Sequence, residues 1–110
     1  MAITRKSDII AVADSDTSLL AAESAEDCVI VSLIFGNVDG VADATVLVTL
    51  TKSGEAALNI VNALPVAAGE AVEMFIGGKG SLFLEPGDEL SATASVAGDI
   101  TATLSWLSEI

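Results

Sequence analysis

The fold is decided by residues 82–95, which read LFLEPGDELSATAS. A short apolar run from Leu82 to Leu84 enters a turn in which Pro86 fixes φ and Gly87 can adopt a positive φ. A strictly alternating segment then leaves from Asp88, because apolar residues at 90, 92, 94 and 96 alternate with Ser or Thr at 91, 93 and 95. Successive side chains of a strand point to opposite faces, so this pattern predicts a half-buried β-strand.

Similar short strands recur along the whole chain. They are separated by turns rich in Gly, Asn, Asp and Pro at intervals of roughly eight to twelve residues, and no long helical pattern interrupts them. A length of 110 residues is that of one domain. The pattern therefore predicts an all-β, single-domain antiparallel β-sandwich, jelly-roll-like, with eight or nine short strands. Residues 28–110 are expected to form the sandwich, and residues 1–27 an N-terminal arm or first strands that could serve as a docking segment.

Two segments admit two interpretations. Residues 1–7 are polar and form either an arm that reaches a neighbouring molecule or a frayed terminus. Residues 17–26 form either one or two helical turns or a short strand followed by an acidic loop, and we favour the strand.

Residues 27–37 are apolar on both faces of the predicted strand. Strict alternation places Cys28, Ile30 and Ile34 on one face and Val29, Val31, Leu33 and Phe35 on the other. So much apolar surface in a small sandwich predicts that copies of the same chain cover part of it, as a homotrimer or homodimer. The residues predicted to line this interface are Ile9, Ile10, Val29, Val31, Leu33, Phe35 and Trp106.

The composition excludes several classes of function. Sixteen acidic residues against four basic ones give a net charge of −12, which repels nucleic acids and anionic membranes, so neither is expected as a partner. Cys28 is the one cysteine, which rules out an internal disulfide and leaves a buried thiol, an intermolecular bond or a reactive thiol. The apolar run that follows Arg5 and Lys6 is too short for a signal peptide, so synthesis in the cytoplasm with a retained N-terminus is expected.

No catalytic or cofactor site is predicted. Without histidine or tyrosine, a Ser-His-Asp triad and a Cys-His pair are both impossible, and no pair of carboxylates stands out as an acid and base. We therefore expect no enzyme, no cofactor and no metal. Trp106 shares the phase of Ile100 and Leu104, which favours packing over a sugar-binding role, and Gly77-Gly78-Lys79-Gly80 is read as a hairpin turn rather than a phosphate loop. The acidic pairs are read as turn residues rather than Ca²⁺ ligands: Asp14 with Asp16, Glu23 with Glu26 and Asp27, and Asp39 with Asp43.

Several pieces of residues 28–110 resemble a known family when they are taken in order. These pieces are Asn37 and Gly40 followed by Thr45–Thr51, then Asn62–Glu70, then residues 82–94, and the ending Ser105–Ile110. Their succession resembles the small virion structural proteins of tailed bacteriophages.

The resemblance implies a non-enzymatic β-sandwich on the exterior of a virion. Its expected function is that of a capsid decoration or cement protein, whose partners are copies of itself and the phage major capsid protein or neck proteins. The alternatives are a neck, collar or head-fibre component, and a receptor- or carbohydrate-binding module that uses the loops at residues 37–43 and 77–80.

Overall fold

Nine β-strands make up most of the described chain. A computed structural model describes residues 3–22, 26–74 and 82–109. The strands are β1 (Ile3–Val12), β2 (Thr17–Ala21), β3 (Asp27–Asn37), β4 (Ala44–Thr51), β5 (Leu58–Val66), β6 (Ala71–Glu73), β7 (Leu82–Leu84), β8 (Glu89–Ala94) and β9 (Ile100–Glu109). Residues 17–21 are thus a strand, as favoured, whereas the predicted turn at residues 77–80 lies outside the described residues.

The nine strands pair into two antiparallel sheets. One sheet has the order β1-β9-β3-β6, and β7 also pairs with β3, while the other sheet has the order β2-β8-β4-β5. Apolar side chains from both sheets meet between them, and the largest fully buried ones include Phe35, Leu104, Leu84 and Leu90. The predicted all-β antiparallel sandwich is confirmed.

The five-stranded sheet has two distinct ends, which the strand register defines. At the first, called the Val12 end, Val12 pairs with Ile100 and Ile100 pairs with Asn37. At the other, called the Ile3 end, Ile3 pairs with Glu109 and Glu109 pairs with Asp27.

A β-bulge in β3 changes which residues face the core. Ile30 pairs with Trp106 and Ser32 with Ser105, so Val31 is an extra residue without a partner in β9. A bulge shifts the alternation of the strand by one residue. Cys28 and Ile30 are therefore buried before the bulge, and Leu33 and Phe35 are buried after it.

The predicted division of β3 into two faces is corrected by this bulge. Strict alternation placed Leu33 and Phe35 on the same face as Val29 and Val31 and assigned all four to an interface. In the structure Leu33 and Phe35 are fully buried in the core of one chain, and Val31 is 48% exposed. Leu33 and Phe35 are core residues, not interface residues.

The turn at residues 85–88 joins three parts of the sandwich. Gly87 has a φ of 88°, as predicted for this turn, and its N–H donates to the carbonyl oxygen of Ala22 at the end of β2. The buried Asp88 accepts hydrogen bonds from the backbone N–H groups of Ser53 and Glu85, both at 2.9 Å. Its Oδ2 lies 2.6 Å from Lys52 Nζ, which also contacts Glu85 at 3.2 Å. The turn therefore holds the β4–β5 hairpin and the end of β2 in place.

Substituting Gly87 with alanine is expected to destabilise the protein by about 2 kcal/mol, because the left-handed conformation is strained for any residue with a Cβ. A Cβ at Gly87 would also lie 2.8 Å from Ser53 Oγ.

Chemical denaturation of Gly87→Ala beside two control variants separates backbone strain from this close contact. Gly54 has a φ of 77° and nothing near its Cβ position, so Gly54→Ala tests backbone strain alone at about 1 kcal/mol. Gly40→Ala, in open space, is expected to change stability by less than about 0.5 kcal/mol; equal losses in all three variants would contradict this account.

Candidate functional site

An uncovered apolar surface lies on the five-stranded sheet, on the side that faces away from the core. Cross-strand pairing aligns Arg5 with Leu107, Leu107 with Val29, and Val29 with Phe83. Ile3 and Phe83 are exposed, and Val29 and Leu107 are half-buried. We call this surface the outer apolar face; it consists of Ile3, Val29, Val31, Phe83 and Leu107.

Two grooves cross the outer apolar face. The larger, of about 380 Å³, is lined by residues 5–7, Val31 and residues 105–107, and we call it the Arg5 groove. The smaller, of about 140 Å³, lies at the Ile3 end and is lined by Ile3, Val29, Phe83 and Leu107 together with Asp27 and Glu109. The larger groove thus has a basic rim and the smaller one an acidic rim.

The predicted interface residues are divided by the structure between this face and the interior. Val29 and Val31 belong to the outer apolar face, and Ile9 is exposed farther along β1. Ile10 and Trp106 are half-buried and pack against the core. Ile3, Phe83 and Leu107 were not predicted from the sequence to lie on this face. For Leu107 a signal existed, because it alternates along the strand with Trp106 and Ser108, which face inward.

Trp106 carries an unsatisfied polar atom. Its Nε1 is buried and has no hydrogen-bond partner among the described residues. Its ring packs against the core beside Lys6 and Ile30, with which it pairs across the sheet. This position fits the packing role that was predicted for Trp106.

Cys28 is fully buried in the hydrophobic core, next to Glu26 and close to the Ile3 end. Burial, followed by the negative charge and hydrogen bond of Glu26, raises the pKa of the thiol to about 11. The Glu26 carboxylate also accepts a hydrogen bond from Ser108 and lies 3.7 Å from Lys6 Nζ. The thiolate is the nucleophilic form of cysteine, so burial and the raised pKa both disfavour reaction of this thiol at neutral pH.

A hydrogen-bonded loop at residues 38–43, which we call the valine loop, follows β3 at the Val12 end. The buried Asn37 donates from Nδ2 to the carbonyl oxygens of Ala42 at 2.9 Å and Val66 at 3.1 Å. Asp39 Oδ1 accepts from the backbone N–H of Val41 at 2.8 Å, and Asp43 Oδ1 accepts from that of Ala68 at 3.0 Å. These bonds fix a loop whose tip residue, Val41, is 92% exposed.

The acidic residues do not assemble into a metal site within the described ranges. No group of three or more His, Cys, Asp or Glu side chains there could hold a metal ion, and Glu23 lies outside those ranges. Asp39 and Asp43 instead accept hydrogen bonds from backbone N–H groups, as turn residues do. Among the described residues no helix is long and apolar enough to cross a membrane.

Comparison with known proteins finds similarity in structure but not in sequence. No protein-family model matches the sequence, and no curated protein is significantly similar to it. A solved structure from work on Bacillus endospore appendages, described there as a novel family of disulfide-linked pili, shares the fold with a TM-score of 0.56. The match covers 96% of this chain and 86% of that chain at 14% sequence identity. At this low sequence identity, the structural match establishes a common sandwich fold and nothing further.

This similarity contradicts the predicted relation to tailed-phage virion proteins. The prediction of a capsid decoration or cement protein was wrong, as were the capsid or neck partners and the position on the exterior of a virion. The physical reason lies in the residues that carried the resemblance. A strand, a Pro-Gly-Asp turn and an alternating strand encode the geometry of a β-sandwich, and unrelated sandwich proteins share that geometry.

Proposed function

We propose that this chain is a non-catalytic subunit that polymerises with copies of itself into an extracellular surface fibre. The observation that carries the proposal is the outer apolar face, on which Ile3 is 65%, Val31 48% and Phe83 50% exposed. Exposed apolar surface of this kind marks sites of protein association. The fold similarity to a protein of Bacillus endospore pili supports a fibre over a closed oligomer.

The first strand strengthens the case for self-association. β1 is an edge strand that pairs with β9 alone among the described strands, and residues 3–9 are all exposed. An edge strand of this length presents unpaired backbone N–H and C=O groups to a neighbouring molecule. Because β1 and β2 are both edge strands, residues 1–27 remain our proposed docking segment.

The proposed fibre is held together without disulfides of Cys28. The one cysteine of the chain is fully buried, and its raised pKa keeps the thiol protonated. Contacts between subunits would therefore depend on apolar packing and hydrogen bonds. In this respect the chain differs from what is stated of the similar pili, which are disulfide-linked.

Sedimentation velocity and negative-stain electron microscopy of the purified chain test the proposal. We expect concentration-dependent polymers and filaments, unchanged by dithiothreitol. Val31→Asp, which puts a charge on the outer apolar face where it borders the Arg5 groove, should abolish the filaments. The matched control Leu58→Asp changes an exposed apolar residue on the other sheet and should leave them intact. A monomer or a closed dimer or trimer at every concentration would overturn the proposal, and loss of polymers on reduction would overturn its non-covalent part.

A further inference from the structure

We propose that the valine loop of one copy docks into the Arg5 groove of the next copy, so that subunits join head to tail. The inference rests on the proposed function, since it names the contact through which copies would polymerise. The occupant of the groove is a second copy of this chain, which the charge, exposure and positions of the two surfaces favour.

Arg5 is a cation without an ion-pair partner among the described residues of a strongly acidic protein. The chain has four basic residues against sixteen acidic ones. Lys6 pairs with Glu26, Lys52 pairs with Asp88 and Glu85, and Lys79 lies outside the described residues. Arg5 is exposed on the groove rim and forms no ion pair with any described residue. The groove is therefore an apolar surface with a free positive charge, which selects an acidic and apolar partner.

The valine loop has that acidic and apolar character. Val38 and Val41 are both exposed, and Asp39 and Asp43 flank Val41 along the chain. Each of these carboxylates uses Oδ1 for a backbone N–H, and Oδ2 has no hydrogen bond to a described residue. One oxygen of each is therefore available to the guanidinium of a neighbouring Arg5.

The valine loop is also held rigid before any contact forms. Besides the bonds from Asn37, the N–H of Val38 donates to the carbonyl oxygen of Asp99 at 2.8 Å, and that of Gly69 donates to the carbonyl of Asp39 at 2.8 Å. Most exposed loops lose conformational entropy when they bind. A loop already fixed in one conformation loses less, which favours association.

The two surfaces are separated on one molecule in a way that favours polymers. The valine loop follows β3 at the Val12 end, whereas Arg5 lies seven residues before Val12 on β1, about 23 Å along the strand. The contact is thus between two different patches. Such a heterologous contact generates an open filament or a ring instead of a two-fold dimer.

A charge-swap experiment tests the contact. Arg5→Glu places an acid in the groove, and Val41→Lys places a base on the tip of the valine loop; both sites are exposed, so folding should be unaffected. Each single variant should lower the association constant by an order of magnitude or more in sedimentation velocity, because it juxtaposes like charges. The double variant restores opposite charges and should recover at least part of the assembly. Ala56→Lys, on an exposed loop outside both surfaces, is the control and should assemble normally.

Disulfide trapping gives an independent readout. Val31→Cys in the groove combined with Val41→Cys at the loop tip should yield a ladder of multimers on a non-reducing gel, and the buried Cys28 should not contribute to it. Ala56→Cys combined with Val41→Cys should give no ladder. The proposed contact is overturned if the wild type forms filaments while both single charge variants assemble normally, or if the double variant assembles no better than either single one. Filaments that persist in all these variants leave the proposed function standing, whereas a wild type that never polymerises removes both.

Discussion

Replacing Phe35 with alanine is expected to lower the free energy of unfolding of the single chain by about 4 kcal/mol. Phe35 is fully buried between the two sheets and is among the largest side chains in the core. Truncation removes its apolar area from the interior and leaves a cavity that the surrounding sheets fill only in part. Urea denaturation monitored by circular dichroism measures the loss.

Val31→Ala is the matched control because it lies on the same strand. Val31 is 48% exposed at the bulge, so its truncation should cost less than about 1 kcal/mol. Strict alternation without the bulge places Val31 and Phe35 together at one interface. It therefore predicts similar losses of single-chain stability for the two alanine variants. A Phe35→Ala loss no larger than that of Val31→Ala, or one that appears only at concentrations where copies associate, would contradict the structure.

Replacing Asp88 with alanine is expected to cost about 3 kcal/mol, because three hydrogen-bond donors lose a buried acceptor. Two of them, the N–H groups of Ser53 and Glu85, are fixed by the backbone. The third is the ammonium of Lys52, which comes from a residue 36 positions away in the sequence. Thermal and urea denaturation measure the loss, and Asp14→Ala in the exposed turn after β1 should change stability by less than about 0.5 kcal/mol.

Asp88 also makes stability depend on pH. Burial by itself raises the pKa of this carboxyl, but the hydrogen bonds from Lys52, Ser53 and Glu85 outweigh burial and lower the pKa below its ordinary value of 3.8. A group whose pKa is lower in the folded state than in the unfolded state stabilises the fold above the unfolded pKa. Its stabilisation is therefore fully present at neutral pH and is lost as the pH falls from 3.8 towards the folded pKa.

The neutral variant Asp88→Asn isolates this pH dependence. Its free energy of unfolding should be lower than that of the wild type at pH 7, and the difference should shrink as the medium is acidified below pH 4, about the ordinary pKa of an aspartate. A difference that stays constant over the acidic range would show that the hydrogen-bonded Asp88 does not titrate as its contacts predict.

The outer apolar face was only partly predictable from the sequence. The excess of apolar residues in β3 predicted self-association and named Val29 and Val31 as interface residues. The structure places both on the outer apolar face, and their part in an interface stays a prediction. Phe83 and Leu107 were missed because they become part of that surface by pairing with Val29 across β7 and β9. Local alternation reports which side of a strand is apolar, but it does not report which strands lie side by side.

The sequence by itself determined the fold class, the turn at Gly87 and the absence of histidine-based chemistry. These features are local: alternation has a period of two, a positive φ needs glycine, and a missing residue type needs no structure to detect. The tertiary structure alone decided the bulge at Val31, the burial of Phe35 and the lack of an ion pair between Arg5 and any described carboxylate. Each of these depends on residues far apart in sequence that the two sheets bring together, and a one-residue shift in register exchanges the buried and exposed faces of a strand.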